Sequence, residues 1–124
     1  MKRILVADDK ATSRELIRTI LEKNGYEVME ARDGQEAILK VEDTPPDLIL
    51  LDLQMPALDG FGVLARLRSD SRFASLPIVA VTASAMQGDR DKAIAAGFTS
   101  YITKPVRISL LREELTRLLG EGDA

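Results

Sequence analysis

The stretch from Asp47 to Pro56, DLILLDLQMP, decides how the chain folds. Its four consecutive apolar residues, Leu48 to Leu51, predict a strand that is buried in the core. Asp52 follows this run directly, at a place where the loss of hydration makes a carboxylate costly. Either the Asp52 carboxylate is paired and structural, or it is there to react. The types of residue that follow the other predicted strands distinguish between these two interpretations.

Short apolar runs alternate with helical patterns on both sides of this stretch. The predicted strands are RILVA (residues 3–7), EVMEA (27–31), LILL (48–51), LPIVAVT (76–82) and SYIT (100–103). The predicted helices are TSRELIRTILEKNG (12–25), DGQEAILKVED (33–43), DGFGVLARLRSD (59–70), MQGDRDKAIAAG (86–97) and ISLLREELTRLLG (108–120).

The helices differ in how strongly the sequence supports them. In the first, one face carries the apolar residues Leu16, Ile17, Ile20 and Leu21. Thr12 and Glu15 are spaced as a capping box at its start. The fourth helix is the weakest, because it contains Gly88 and few large apolar residues.

Five successive βα units predict a doubly wound α/β fold, with a parallel five-stranded sheet and helices on both faces. Strands 1, 3 and 4 are the most apolar and should be central, whereas strands 2 and 5 are shorter and more polar, as edge strands should be. The strand order 2-1-3-4-5 fits these differences.

Composition narrows the possible functions. The 124 residues form one domain with 45% hydrophobic and 30% charged residues, which is typical of a globular protein. Cysteine and histidine are absent, so disulfides, thiolate metal sites and histidine-based catalysis are excluded. The net charge of -3 gives no pull toward nucleic acid. With neither a membrane-length apolar run nor a signal peptide, we expect a cytoplasmic protein that contacts neither membrane nor nucleic acid.

Polar side chains follow four neighbouring strands of the predicted sheet. Strand 1 is followed by Asp8 and Asp9 and strand 3 by Asp52; strand 4 ends in Thr82, which precedes Ala83 and Ser84, and strand 5 is followed by Lys104, which precedes Pro105. Ligands of open α/β sheets bind beyond the carboxyl ends of the strands, so we expect these residues to share one pocket.

Taken singly, each of these residues has an ordinary explanation, since an aspartate after a strand is usually a helix cap or turn former. Their convergence favours a ligand site instead. Three carboxylates repel one another, and one lysine cannot balance them, so a hard divalent cation is expected. We predict Mg²⁺, with Mn²⁺ as a substitute, beside a phosphoryl group that Lys104 and Thr82 contact.

Asp52 is the candidate acceptor of that phosphoryl group. A serine or threonine nucleophile needs a base, and the sequence offers no histidine. An aspartate is already ionised near neutral pH. Asp52 ends the predicted central strand, between strands 1 and 4, and Asp9 with Asp8 would hold the metal.

The motifs VADD, LLDLQMPALDG, VAVTA and YITKP occur in the order and at the separations of a known family. From Lys2 to about Leu119 the chain resembles a bacterial two-component response regulator receiver domain, with the flavodoxin-like, CheY-like fold. The resemblance implies a receiver domain over residues 1–120 and a short tail over 121–124. The chain is either freestanding or a piece of a larger regulator or hybrid kinase; because KRILV follows Met1 at once and only EGDA lies beyond the last helix, we expect a freestanding single-domain protein.

The resemblance also assigns roles to individual residues. Asp52 would accept a phosphoryl group from a histidine kinase or a histidine phosphotransfer protein. Mg²⁺ would be bound by Asp8, Asp9, Asp52 and the backbone carbonyl of Gln54. Thr82, Ala83 and Lys104 would contact the phosphoryl group, and Tyr101 would be the switch aromatic, although it is alternatively a half-buried tyrosine of an edge strand.

Further positions match the family less directly. The Lys104–Pro105 bond is typically cis in this family, and Pro56 and Gly60 match the turn after the phosphorylation site. Gln54 and Ser84 occupy positions that tune hydrolysis of the phosphoryl group. Lys10 departs from the pattern; it either partly neutralises the pocket and weakens metal binding or is a surface lysine.

Phosphorylation would change the surface formed by helix 4, strand 5 and helix 5, which a downstream target protein or a second copy would read. We therefore expect a monomer or a weak phosphorylation-dependent dimer. A Mg²⁺-dependent phosphatase is a competing hypothesis, but Gln54 stands where such enzymes need a second acid. A pseudo-receiver, which binds partners without phosphorylation, is another hypothesis. Such proteins usually lack one of the key site residues, and none is missing here. The chain is predicted to catalyse only its own phosphorylation and slow dephosphorylation.

Overall fold

A computed structural model describes residues 1–83 and 88–120 of the chain. The strands are β1 (Arg3–Ala7), β2 (Glu27–Ala31), β3 (Leu48–Asp52), β4 (Ile78–Thr82) and β5 (Ser100–Thr103). The helices are α1 (Ala11–Lys23), α2 (Gly34–Asp43), α3 (Gly60–Arg68), α4 (Asp89–Ala96) and α5 (Ile108–Leu119), with one 3-10 turn at Ser71–Phe73. Across the described ranges, no helix is both long enough and apolar enough to span a membrane.

The sheet is parallel with the order β2-β1-β3-β4-β5, which confirms the predicted order. β3 is buried at all five positions because it has a strand on each side and helices on both faces. Its register sets Leu51 beside Ala7 of β1 and Asp52 beside Val81 of β4. The carboxyl ends of β1, β3 and β4 therefore lie side by side, and the residues that follow them lie along the same edge of the sheet.

Two apolar layers cover the sheet, so the prediction of helices on both faces is confirmed. On one face, Ile17 and Leu21 of α1 pack with Leu111 and Leu115 of α5 over one set of strand side chains. On the other face, buried residues of α2, α3 and α4 pack against the alternate set. Alternation along a strand divides the side chains between the two layers.

The predicted start of α1 is wrong. The helix begins at Ala11, one residue before the expected capping box, and its N-cap residue Lys10 makes no side-chain cap. The Lys10 amide instead donates to the Asp8 carboxylate at 2.9 Å, so Asp8 fixes the entry into the helix. Leu16, expected on the apolar face, is 53% exposed. The buried stripe consists of Ile17, Ile20 and Leu21.

β4 begins at Ile78 rather than at the predicted Leu76. Pro77 has no amide hydrogen for the sheet, and the Leu76 amide donates to the Phe73 carbonyl in the preceding turn. The predicted fourth helix is observed from Asp89, and the predicted residues 86 and 87 lie outside the described ranges.

Arg68, at the end of α3, joins three chain segments without a carboxylate partner in the described ranges. Its guanidinium donates to the carbonyl oxygens of Leu76 at 2.7 Å, Phe73 at 2.9 Å and Gly97 at 3.1 Å. Gly97 directly follows α4, which buries only Ala93 among its residues. Arg68 therefore holds the C-terminal end of a helix that has little apolar packing of its own.

Candidate functional site

The acid pair that follows β1 is held by backbone contacts. Asp8 is 2% exposed; its amide donates to the Ala31 carbonyl at 3.1 Å, and its Oδ1 accepts from the Lys10 amide. Its carbonyl accepts from Arg14 Nη1 at 2.8 Å. The next residue, Asp9, is exposed. One carboxylate is thus buried and oriented while its neighbour reaches toward solvent.

Asp52, at the end of β3, is 5% exposed, and it pairs with the same lysine ammonium group as Asp8. Lys104 Nζ lies 2.8 Å from Asp8 Oδ2 and 3.3 Å from Asp52 Oδ2. Asp52 Oδ1 accepts from the Gln54 amide at 3.0 Å. Lys104 reaches the acids from beyond β5, where its own amide donates to the Thr82 carbonyl. The two buried carboxylates therefore depend on one ammonium group.

These contacts and burial shift the pKa values of the Asp52 and Asp8 carboxyl groups in opposite directions. Burial raises the pKa of Asp52 above its usual value, and the nearby Asp8 charge adds to the rise that Gln54 and Lys104 oppose. Burial also acts to raise the pKa of Asp8, but hydrogen bonds from Lys104 and Lys10 outweigh it, so that pKa is lowered. Burial opposes the charge of Lys104, yet the two carboxylates hold its pKa above the usual value.

The opposite shifts give a stability prediction in metal-free buffer. A raised folded-state pKa means that Asp52 stabilises the fold only at low pH, and this contribution is lost as pH rises through that pKa. A lowered pKa means that Asp8 stabilises above its unfolded-state pKa, and this contribution is lost as pH falls. At neutral pH, Asp52→Asn is therefore expected to raise the free energy of unfolding, and Asp8→Asn to lower it.

Urea denaturation of both variants and the wild-type chain, with a chelator present, measures this difference. The two variants should converge on wild-type stability as the pH falls below the usual aspartate range. Changes of the same sign in both variants at neutral pH would show that the two carboxyl groups do not differ as described.

The acidic residues fit a divalent cation. One carboxylate oxygen from each of Asp8, Asp9 and Asp52 lies within 4.8 Å of the others. All three donors are hard oxygen ligands, and the single Lys104 charge does not balance them, which suits Mg²⁺. The Gln54 amide contacts Asp52, so its peptide borders this cluster, but the role of its carbonyl stays a prediction.

A cavity of about 230 Å³ adjoins the end of β3. It is lined by Leu53, Gln54, Asp59, Phe61, Thr82, Asp89 and Lys92. Thr82, the last residue of β4, is 1% exposed. The cavity therefore connects the surroundings of Asp52 with Thr82 and with the first turn of α4.

The other predicted residues lie around this edge. Ala83 is exposed directly after β4, and the Lys104–Pro105 bond is cis. Tyr101 of β5 is 8% exposed and belongs to the apolar layer that includes α4, so it is buried rather than half-buried. The Lys10 side chain is exposed, as a surface lysine should be. The predicted residue Ser84 lies outside the described ranges.

The loop after Asp52 contains constraints that sequence reasoning missed. Ala57 has a φ of 69°, and the Leu58 amide donates to the Pro56 carbonyl at 2.8 Å, which closes a tight three-residue turn. A Cβ on Gly34 of α2 would lie 2.1 Å from the Leu58 carbonyl oxygen. A glycine directly after the cap residue Asp33 was the available signal, because helix propensity does not explain it.

The predicted residue Gly60 allows a similar close approach. A Cβ there would lie 2.7 Å from the Asp52 carbonyl oxygen, so the start of α3 packs against the end of β3. Pro56, the other residue predicted for this loop, is exposed and supplies the carbonyl of the tight turn.

The sequence matches the family described as response regulator receiver domain over residues 4–116. It is 34% identical over 121 residues to the polar-differentiation response regulator DivK of Brucella anthropi, with 98% of each chain covered. The receiver domain of sensor histidine kinase PA1611 from Pseudomonas aeruginosa PAO1 shares 34% identity and a TM-score of 0.88, covering 96% of this chain and 98% of that one. That structure has a magnesium ion coordinated in its active site cleft. Chemotaxis protein CheY4 of Vibrio cholerae shares 30% identity and a TM-score of 0.88, with 95% and 98% covered.

Proposed function

The chain belongs to the response regulator receiver domain family of two-component signalling, and on that premise we propose that Asp52 is its phosphoacceptor. The observation that carries the proposal is the pairing of two buried carboxylates, Asp8 and Asp52, with the single ammonium of Lys104. A structural salt bridge needs one acid for one lysine. Asp8 also fixes the start of α1, but that contact requires neither a second buried acid at Asp52 nor the adjacent Asp9, whereas a metal-assisted phosphoryl acceptor needs all three.

We infer that Asp8, Asp9, Asp52 and the Gln54 carbonyl hold Mg²⁺ when it is bound. The cation would offset negative charge on phosphoryl oxygens and on the clustered carboxylates. The relative with magnesium in its active site cleft supports this assignment.

The reaction requires little covalent chemistry from the chain. A carboxylate oxygen of Asp52 attacks the phosphorus of a phosphohistidine on a kinase or phosphotransfer protein. A P–O bond forms as the P–N bond breaks, and the electron pair leaves with the imidazole nitrogen. Lys104 stabilises the negative charge on the transferred group, and the Gln54 amide orients the attacking carboxylate.

The output would be a population shift at the surface of α4, β5 and α5. The Thr82 hydroxyl would move to the phosphoryl group, and Tyr101 would pack beneath α4. Tyr101 already lies inward here, so phosphorylation has to stabilise this position rather than create it. A downstream partner or a second copy of the chain in the cytoplasm would bind the stabilised surface. Slow loss of the phosphoryl group, tuned by Gln54 and Ser84, would end the signal.

Intact-mass measurement tests the acceptor. After incubation with acetyl phosphate and Mg²⁺, the wild-type chain should gain one phosphoryl mass, and excess chelator should prevent the gain. Asp52→Asn should gain none, because its amide is not nucleophilic. Asp47→Asn is the matched control: Asp47 precedes the opposite end of the same strand and should leave uptake unchanged.

Two results would contradict the proposal. Uptake by Asp52→Asn at the wild-type rate would refute the acceptor. Amide hydrogen exchange that is unchanged in α4 and β5 after phosphorylation would refute the switch.

A further inference from the structure

Arg14 makes a contact that neither the core nor the acceptor chemistry explains. It lies in the first turn of α1, and its side chain is 14% exposed. Its Nη1 donates to the Asp8 carbonyl at 2.8 Å, and its Nε lies 3.3 Å from Glu30 Oε1. One guanidinium thus connects the loop after β1 with the edge strand β2.

The accepting carbonyl belongs to the peptide plane between Asp8 and Asp9. The Asp8 amide is fixed by Ala31, and the Asp8 carboxylate by Lys10 and Lys104. Within residues 1–83 and 88–120, no group holds the Asp9 side chain. The direction of the Asp9 carboxylate is therefore set by the Asp9 backbone. Arg14 holds the Asp8–Asp9 peptide plane, and the orientation of this plane determines where the Asp9 Cα and side chain lie.

Glu30 holds Arg14 in place. Its second oxygen accepts from Arg18 Nη1 at 3.0 Å, so two arginines share this carboxylate. Arg18 is 48% exposed, and it forms ion pairs with Glu22 and Glu30 rather than a contact with the loop after β1. The two arginines therefore carry the same charge and share one partner, but only Arg14 contacts the acid pair.

We propose that Arg14 is a positioning residue for the divalent cation site: it fixes the Asp8–Asp9 peptide so that Asp9 converges with Asp8 and Asp52. This inference rests on the proposed function, which assigns the cation to these three acids. Outer-shell contacts of this kind orient metal ligands, and their removal typically weakens metal binding about tenfold or more.

Electrostatics alone predicts the opposite result. Removing a positive charge near three carboxylates should tighten cation binding, because less repulsion opposes the metal. The direction of the change therefore distinguishes positioning from a simple effect of charge.

Isothermal titration with Mg²⁺ tests the proposal on the full chain. Arg14→Met keeps most of the apolar stem but removes both hydrogen bonds, and it is expected to weaken Mg²⁺ affinity about tenfold. Arg18→Met removes the same charge and a contact with the same glutamate, and its affinity should stay within about twofold of wild type. Arg14→Lys keeps the charge without the planar fork, so its affinity should fall between those of wild type and Arg14→Met.

Two further measurements separate positioning from loss of folding. Thermal unfolding identifies a variant that is not folded at the titration temperature, in which case Arg14→Lys carries the test. The amide resonance of Asp9 in a ¹⁵N spectrum should shift in Arg14→Met and not in Arg18→Met.

The outcomes also separate this inference from the proposed function. Unchanged or tighter Mg²⁺ binding by Arg14→Met, or equal weakening in Arg18→Met, overturns the role of Arg14 while the acceptor role of Asp52 stands. Wild-type Mg²⁺ binding without phosphoryl uptake overturns the acceptor role and leaves the role of Arg14 intact. A wild-type chain that binds no Mg²⁺ overturns both.

Discussion

Lys104→Met is expected to slow phosphoryl uptake by Asp52 about 10²-fold, at saturating Mg²⁺ and acetyl phosphate. Lys104 is the cation that contacts both Asp8 and Asp52, so the variant leaves two buried carboxylates without an ammonium partner. Under the proposed function, the phosphoryl oxygens also lose a positive charge at the point where negative charge must be stabilised. Methionine retains the length and apolar character of the stem, which limits the change in packing. Rates of mass gain measure the effect.

The matched control is Lys10→Met. Lys10 is next to the acid pair in sequence, but only its backbone amide contacts Asp8, and its side chain is exposed. The control removes one positive charge near the same site and should change the rate less than about threefold. Equal slowing in both variants would show that overall charge, rather than the contact made by Lys104, controls uptake.

Gly34→Ala is expected to lower the free energy of unfolding by about 3 kcal/mol, although alanine is the better helix former. The added Cβ would lie 2.1 Å from the Leu58 carbonyl oxygen and 2.8 Å from Val63 Cγ2. The first of these atoms belongs to the backbone of the loop after Asp52, which cannot move without disturbing the tight turn at Ala57. Urea denaturation measures the loss, and slower phosphoryl uptake should accompany it.

Gly62→Ala is the matched control within a helix. A Cβ at Gly62 would meet Leu58 Cδ1 at 2.5 Å, which is the tip of a flexible side chain. That side chain can rotate away, and α3 gains helix propensity, so stability should stay within about 1 kcal/mol of wild type. If Gly34→Ala were as stable as Gly62→Ala, the loop after Asp52 could shift away from the added Cβ without loss of stability.

The sequence was sufficient for the strand order because its apolar runs differ in ways that burial explains. LILL has no polar position, and β3 is buried along its whole length at the centre of the sheet. The start of α1 was not predictable from local pattern, since the Thr12 and Glu15 spacing competes with a long-range arrangement. Lys104 fixes the Asp8 carboxylate from the far end of the chain, and that carboxylate then binds the Lys10 amide.

The site was predictable as a set of residue types at strand ends, but not as a set of contacts. Fold topology is enough to bring Asp8, Asp52 and Lys104 to one edge. The contacts of Arg14 and Gly34 depend on side-chain reach and on backbone approach between distant segments, and single-sequence periodicity contains neither. An arginine in a first turn has no pattern that separates it from a solvated surface residue.

The hydrogen bonds from Arg68 to the Gly97 carbonyl provide a fixed point about which α4 could turn. Arg68 holds Gly97, just beyond the C-terminal end of α4, while the opposite end borders the cavity that Thr82 lines. An eight-residue helix is about 12 Å long, so a rotation of about 10° at the pivot moves the far end by about 2 Å. A small change of angle would thus become a displacement that is largest beside that cavity and vanishes at the anchored end. On this geometry α4 would act as a lever that turns about the end anchored by α3.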